Sequence, residues 1–419
     1  MGKAPVLHDY IRFTVETFRL MFSDGKTFDI TPNTVSRVQV EKDFRSSFFP
    51  IIRVDFSTDV ITYFRMIKDK EKLNVQFRMD YYPYTADEER DKKIRTWFNE
   101  KFAVFMEDDL PKLQAATHAL HKEETGTVGS DKDKDSSASK NMSVSVYLFM
   151  EKHLNWAYSS YSNVVSAANM TDIVGKLLEG VGTPILMTPL DNNKVYKEVM
   201  LPAITRISSI KYLESVFGFY KHGSVIFFDL TDAYFLSKET ACTAWKAGEN
   251  KRIVFNVRES DDGDRFTDGS KLVSKEDTVY INVNPSKISA EAPSIFNNFL
   301  LGNKVDSLDT TKSSPITSYT GKTKQRGNAF TKTLHNKFSN PYAAQERAHD
   351  LEKQNRVITF YLSMANHHWF VPNKEFVMNF EDQIVQKEYG GKYNLNNLMI
   401  TFANAGDFME NDMVVQFSL

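Results

Sequence analysis

Along residues 10 to 82 apolar and polar positions alternate. In NVQFRMDYY the residues Val75, Phe77, Met79 and Tyr81 occupy every second place, and Ile52, Val54 and Phe56 do the same, which is the period of half-buried strands with one face on a core. An antiparallel sheet or barrel is the expected consequence. The stretch FRLMFSDGKTFDI adds a hairpin, because Asp24-Gly25 between Phe22 and Phe28 supplies the positive-φ residue that a tight turn requires. Residues 92 to 108 fit two patterns: Ile94, Phe98, Phe102 and Phe105 share a helical face, whereas Phe102, Val104 and Met106 alternate. The alternation favours strand.

Residues 121 to 142, HKEETGTVGSDKDKDSSASKNM, contain no aromatic residue and too little apolar surface to offset ordering entropy, so they read as a flexible loop or linker. A strand over Val144 to Met150 precedes TDIVGKLLEG, where Thr171 is placed to cap a short helix carrying Ile173, Val174, Leu177 and Leu178. Further on, Ile210, Leu213, Val216 and Phe217 share one face of a helix that Pro202 limits upstream and Gly218 lets stop. YKHGSV then turns the chain between Phe219-Tyr220 and Val225 to Phe228, giving a helix followed by a hairpin that is apolar on one side. Strand signals return in RIVFNVRE and DTVYINV. Residues 284 to 340 lack periodicity and are too long for a plain connection, so they read as an insertion with a contact function. AAQERAHDLE (343–352) reads as a short polar helix, and VITFYLSM, EFVMNFED and LMITFAN as closing strands.

A chain of 419 residues exceeds what one core needs, so several packed units are expected. The 32 Phe and 18 Tyr against 18 Gly point to β-rich structure with aromatics lining sheets. Lys plus Arg total 52 and Asp plus Glu 54, so no global basic field draws nucleic acid or an anionic membrane. The single cysteine, Cys242, excludes an internal disulfide framework and a Cys-rich zinc site; it fits synthesis in a reducing compartment and reads as a buried small hydrophobe rather than a nucleophile. Neither a signal peptide nor a membrane span is expected, because no run of about 18 apolar residues occurs. Val6 stands where a myristoylation motif requires Ser or Thr.

Candidate chemistry is thin. SYTGKTK ends like a phosphate-binding loop, but Ile316 stands where the frame requires Gly. DDGDRFTDG has the composition of a calcium loop, yet Phe266 follows Asp264 by two places and no Glu closes the frame, which leaves a solvated turn. His118, His121 and Glu124 can share a helix face toward a metal, but they border the linker and lack supporting partners. His367 and His368 cannot point the same way on a strand, so a hairpin tip or an interface is expected there. Glu107-Asp108-Asp109 and Glu381-Asp382 are acids that nothing sets across a cleft. With no nucleophile elbow, metalloprotease helix or dinucleotide loop, no catalytic, cofactor-binding or metal-ligating residue is assigned. The chain reads as a non-enzyme without a cofactor.

Two stretches carry a family likeness. TPLDNNKVYKEVMLPAITRISSIKYLESVFGFYKHGSVIFFDLTDAYFLS (188–237) resembles the middle of the central baseplate hub proteins of tailed, contractile bacteriophages, with an Asp-Asn turn, a proline-marked entry, a helix, then FGFY, a Gly turn and an FFD strand. FVPNKEFVMNFEDQIVQKEYGGKYNLNNLMITFANAGDF (370–408) is similar to that family's closing barrel, with a Pro-Asn-Lys turn, a Gly-Tyr hairpin and a final strand pair. The resemblance implies a β-rich α+β fold of two tube-like β-barrel domains with a small α+β unit between them. The expected divisions are a barrel-like domain at 1–120, the linker at 121–142, the α+β domain at 143–245, and a second barrel-like domain at 246–419 with a long insertion at about 284–355. It further implies a homotrimeric structural virion protein that connects the sixfold tail tube to the threefold spike, with tail tube protein, central spike protein and other baseplate subunits as partners. DNA would pass the lumen without specific binding, no stable membrane insertion would occur, and assembly would take place in the host cytoplasm. The competing readings are a tail-associated peptidoglycan hydrolase and a distal-tail adaptor or receptor-binding module, in which Trp369 would stack on sugar rings.

Because the linker offers no apolar surface and loop closure depends only slowly on length, replacing residues 121–142 by a short Gly-Ser segment should leave the subunit soluble and cooperatively folded. Loss of a cooperative thermal transition would show that the stretch belongs to a core.

Overall fold

The computed structural model describes residues 10–45, 47–84, 95–106, 141–238, 252–258, 273–275, 278–291, 307–309, 314–316, 342, 357–363, 366–406 and 409–418. The first part holds β1 (Tyr10–Met21), β2 (Thr27–Ile30), β3 (Val35–Asp43), β4 (Ile51–Asp59), α1 (Val60–Lys68), β5 (Asn74–Tyr84), β6 (Arg95–Met106) and β7 (Asn141–Met150). The middle holds α2 (Glu151–Tyr158), β8 (Ser160–Asn169), α3 (Met170–Leu178), β9 (Ile185–Met187), β10 (Val195–Thr205), α4 (Arg206–Val216), β11 (Ser224–Phe228) and β12 (Ala233–Ser237). Next come β13 (Arg252–Val257), β14 (Val273–Lys275), β15 (Thr278–Val283), β16 (Ile288–Glu291), β17 (Ser307–Asp309) and β18 (Ser314–Ile316). The chain closes with β19 (Val357–Ser363), β20 (Glu375–Phe380), α5 (Gln383–Tyr389), β21 (Gly391–Asn404) and β22 (Met409–Ser418).

The two strand-rich ends, expected as separate barrels, are hydrogen-bonded into one mixed sheet of 15 strands. Within it the order β21-β3-β4-β7-β6-β5-β1-β22 returns to β21 through the β21–β22 ladder, so these strands form a closed circuit. Side chains fill its interior: Phe18 of β1 and Phe56 of β4, which are not neighbours in the circuit, have ring centroids 5.1 Å apart. β1 meets β22 only at Phe13 opposite Met409, since residues 18–21 on that side of β1 are paired with β2. The long β21 pairs with β20 at Gly391–Tyr393 and with β3 from Asn397 onward, the register shifting between Leu395 and Asn397. Beyond β20 lie β13, β15 and β14, and beyond β22 lie β19 and β16. This second part curls as well, because Phe255 of β13 stacks on Phe360 of β19 at 4.5 Å although β20, β21 and β22 intervene in the pairing order. β13 runs parallel to both β15 and β20, so the expected antiparallel arrangement holds for the circuit and not for the whole sheet.

Period-2 readings place side chains correctly. Val75, Phe77 and Met79 are buried, as are Ile52, Val54 and Phe56. Residues 95–106 are strand β6, in which both Trp97 and Phe98 turn inward because the register against β5 shifts between Met79 and Asp80. Gly25, at φ 79°, makes the turn between β1 and β2. Other expectations need correction. Helix α1 interrupts the strands; the Asp59 side chain accepts from the Thr62 backbone N–H and starts it. The cap of α3 is Asn169, whose side chain accepts from the Asp172 N–H, while Thr171 lies inside the first turn. β7 takes Asn141 and Met142 from the stretch read as linker, and β16 takes residues 288–291 from the insertion. Residues 121–140 and the helix expected at 343–352 lie outside the described residues.

The middle unit has a core of its own, built on α2, α3 and α4. Helix α4 buries Ile210 and Leu213, with Val216 and Phe217 half-buried at its end. Gly218 follows at φ 70°. The Asn192 amide donates to the carbonyls of Phe217 and Gly218 at 2.9 Å each, closing the helix end. The hairpin differs from the expected one: Phe219 and Tyr220 form no strand, and β11 pairs instead with β12 across a turn at Asp229–Asp232. It is apolar on both faces. Val225, Phe227, Tyr234 and Leu236 join the core of the large sheet, while Ile226, Phe228, Ala233 and Phe235 join the core of the middle unit. At its turn Asp229 accepts from Lys42 of β3 at 2.6 Å, both side chains being buried. Such charges are tolerated inside only because they neutralise one another.

Phe227 is fully buried and meets Phe44 edge-on, with centroids 4.7 Å apart. Phe227→Ala should therefore cost about 3 to 5 kcal/mol of unfolding free energy, measured by urea denaturation. An unchanged midpoint would remove the hairpin from the set of elements that join the two cores.

Candidate functional site

Three of the acids and histidines singled out in the sequence, Asp382, His367 and His368, have a structural setting in the fold. Asp382 caps α5, accepting from the N–H groups of Ile384 and Val385. His367 and His368 lie in a 3-10 turn rather than at a hairpin tip. The His367 ring is buried against Trp97 at 4.3 Å and Phe13 at 5.3 Å, and the His368 ring lies 3.9 Å from His367 and 5.1 Å from Tyr81. Trp369, the candidate for sugar stacking, is 6% exposed. Glu107, Asp108, Asp109, His118, His121, Glu124, Cys242, Asp264 and Phe266 lie outside the described residues, whereas Ile316 falls in β18. Among the described residues no cluster of His, Cys, Asp and Glu could hold a metal ion, and no helix is long and apolar enough to cross a membrane.

What the middle unit presents outward is a surface. β8 and β10 make a two-stranded antiparallel sheet that packs Val165, Val199 and Leu201 inward. Its outer side exposes Val164 and Met200, which are cross-strand partners, together with Val195. The helices behind it are held by backbone caps that the sequence did not announce. The Arg206 guanidinium donates to the Leu177 carbonyl at 2.7 Å and to those of Lys176 and Glu179, and the Trp156 indole N–H donates to Leu177 at 3.0 Å. The Tyr220 hydroxyl bridges the carbonyls of Thr188 and Phe235. An arginine at the first position of a helix carries no signal that it ends another one.

Burial of His153 and His367 and partial burial of His368 hold three imidazoles neutral. Desolvation brings His368 down to about 4, with Lys42 adding to it and Asp229 opposing. It brings His367 well below 6.5, reinforced by His368 and Lys42, and His153 to about 4, reinforced by Lys152. In the unfolded chain each takes a proton near pH 6.5, so the fold has its full stability above that value and loses it as pH falls toward 4. The depressed carboxylates, Asp24, Asp59, Asp69 and Glu375, act below about pH 5. The urea midpoint should thus fall between pH 6.5 and 5, and His368→Phe should flatten that slope. An equal slope in the variant would show that His368 is solvated.

No curated protein matches the sequence. Among solved structures, the tail protein from Neisseria meningitidis MC58 is 9% identical, with 96% of each chain covered and a TM-score of 0.44. The 43 kDa tail protein of prophage MuSo2 from Shewanella oneidensis is 6% identical, with 97% of this chain and 96% of that one covered and a TM-score of 0.41. The E. coli c3393 protein, described as a type VI secretion component similar to T4 bacteriophage tail proteins gp27 and gp5, is 7% identical, with coverage of 91% and 73% and a TM-score of 0.38. The sequence itself matches one family over residues 10–416, nearly the whole described chain, and on that match the chain belongs to the Bacteriophage PBS1 gene 109 protein family.

Proposed function

We propose that this chain is a structural virion protein, the baseplate hub that connects the sixfold tail tube to the threefold central spike. The observation that carries the reading is the closed circuit of strands with its continuation beyond β20 and β22, in a chain that belongs to a bacteriophage protein family. On this reading the circuit is one tube-like barrel, the curled strands around Phe255 and Phe360 are a second, and β21 and β22 serve both. Two barrels per chain require three chains to match a sixfold tube. The tail tube protein would sit on one side, the spike protein on the other, and other baseplate subunits around the middle unit, with DNA passing the lumen. Burial of Trp369 speaks against its ring stacking on sugars in a receptor-binding module.

The purified chain should form a threefold species at micromolar concentration, read by mass photometry, and the intact particle should carry it on its threefold axis. A monomer that shows threefold order neither alone nor in a particle would remove the hub assignment.

A further inference from the structure

Among the described residues the outer edge of β8 has no strand beside it. Its ten residues, SYSNVVSAAN, contain no charged residue and no proline, and β10 is its sole strand partner among the described residues. Exposed edges ordinarily carry such residues because unpaired backbone groups recruit another strand. The opposite strand of the ribbon, β10, does carry Lys197, Glu198 and Pro202. Only one side of the ribbon is protected against pairing.

On either side of Val164 that edge carries a serine two places away, Ser162 and Ser166. Two antiparallel copies related by a twofold axis normal to the sheet must place residues of equal parity opposite one another, so a residue can face its own counterpart. Centred on Val164, such a pairing sets Val164 against Val164 of the second copy and Ser162 against Ser166, all exposed here. Asn163 then faces Val165. Across the ribbon Val164 is already opposite Met200, and these two side chains are 57% and 69% exposed. Pairing would align Met200, Val164, Val164 and Met200 in one apolar row over four strands, giving each a cross-strand neighbour. Ala167, with φ 52°, ends the regular part of the edge, so the contact is short.

We propose that the β8 edge is a twofold self-association site whose occupant is the β8 edge of a second copy of this chain, in antiparallel register centred on Val164. The contact is small beside an interface of about 1,200 Å² or more that makes a stable complex, so it forms reversibly and grows with concentration. It uses a different symmetry axis from the threefold contact and does not depend on it: trimers joined this way give hexamers, monomers give dimers.

Sedimentation velocity over a concentration series tests it, with the full chain, Val164→Lys, and cysteine variants made in a Cys242→Ser background. The full chain should show a species of doubled mass that rises with concentration, and Val164→Lys should reduce it at least tenfold with an unchanged melting temperature. Under mild oxidation Val164→Cys should cross-link to a doubled mass, whereas Val195→Cys, at least as exposed, should not. Absence of the doubled species, its persistence in Val164→Lys, or equal cross-linking at 195 would overturn the proposal. Loss of threefold mass with the doubling retained would count against the hub reading alone.

Discussion

Everything in the middle of this molecule depends on one hairpin that has to satisfy two cores at once. β11 and β12 place Phe227 against Phe44 on one side and Phe228 against Trp156, with centroids 4.6 Å apart, on the other. A strand buried on both faces cannot use a polar residue on either, which is why VIFF and AYFL show no alternation. The wall is then locked in position at two points. The Phe228 N–H donates to the Phe48 carbonyl at 2.8 Å, and the Lys42–Asp229 pair is buried at the turn. Removing either charge would strand the other in a medium that cannot solvate it, so the pair fixes where the unit sits more than it adds stability.

The large sheet meets a comparable demand in β21. A strand that leaves β20 to join β3 has to change neighbours within its own length, and it does so at the register shift between Leu395 and Asn397. Backbone groups freed there are taken up locally. The Phe44 N–H donates to the Asn396 carbonyl at 2.9 Å, and the Ser418 hydroxyl donates to the Asn396 side chain at 3.0 Å. An irregularity of this kind bends a strand and increases its twist, which suits a place where one curled part of a sheet gives way to another.

How far the sequence spoke depended on whether a residue served one neighbour or two. Where a strand has one buried face, as in β4 and β5, the alternation of Ile52, Val54 and Phe56 or of Val75, Phe77 and Met79 states its conformation directly. Doubly buried β11 and β12 lack that signal, so the sequence marks the apolar run but not its hairpin partner. Short α1 was hidden because VITYFRMIK is rich in β-branched and aromatic residues whose local preference is for strand; its cap, Asp59, overrides that preference. Two features of the surface could be read from composition alone, the uncharged run of β8 and the guarded run of β10, but not that they pair. Pairing is a relation between distant segments, and no local pattern encodes it.

Several polar side chains close the backbone: Asn192 and Arg206 end helices, and Asp59, Asn169, Thr205 and Asp382 begin them. The two central histidines are held neutral among aromatic rings, where they fill space as Phe would but cost stability on protonation. Closing eight strands on themselves also removes most sheet edges from contact with other chains. Among the described residues, the sheet edges that remain include β14 and β16, β9 and β11, and the ribbon of β8 and β10. On the proposed self-association, a chain built this way would interact through backbone edges and apolar rows, with the capping side chains holding those edges in place.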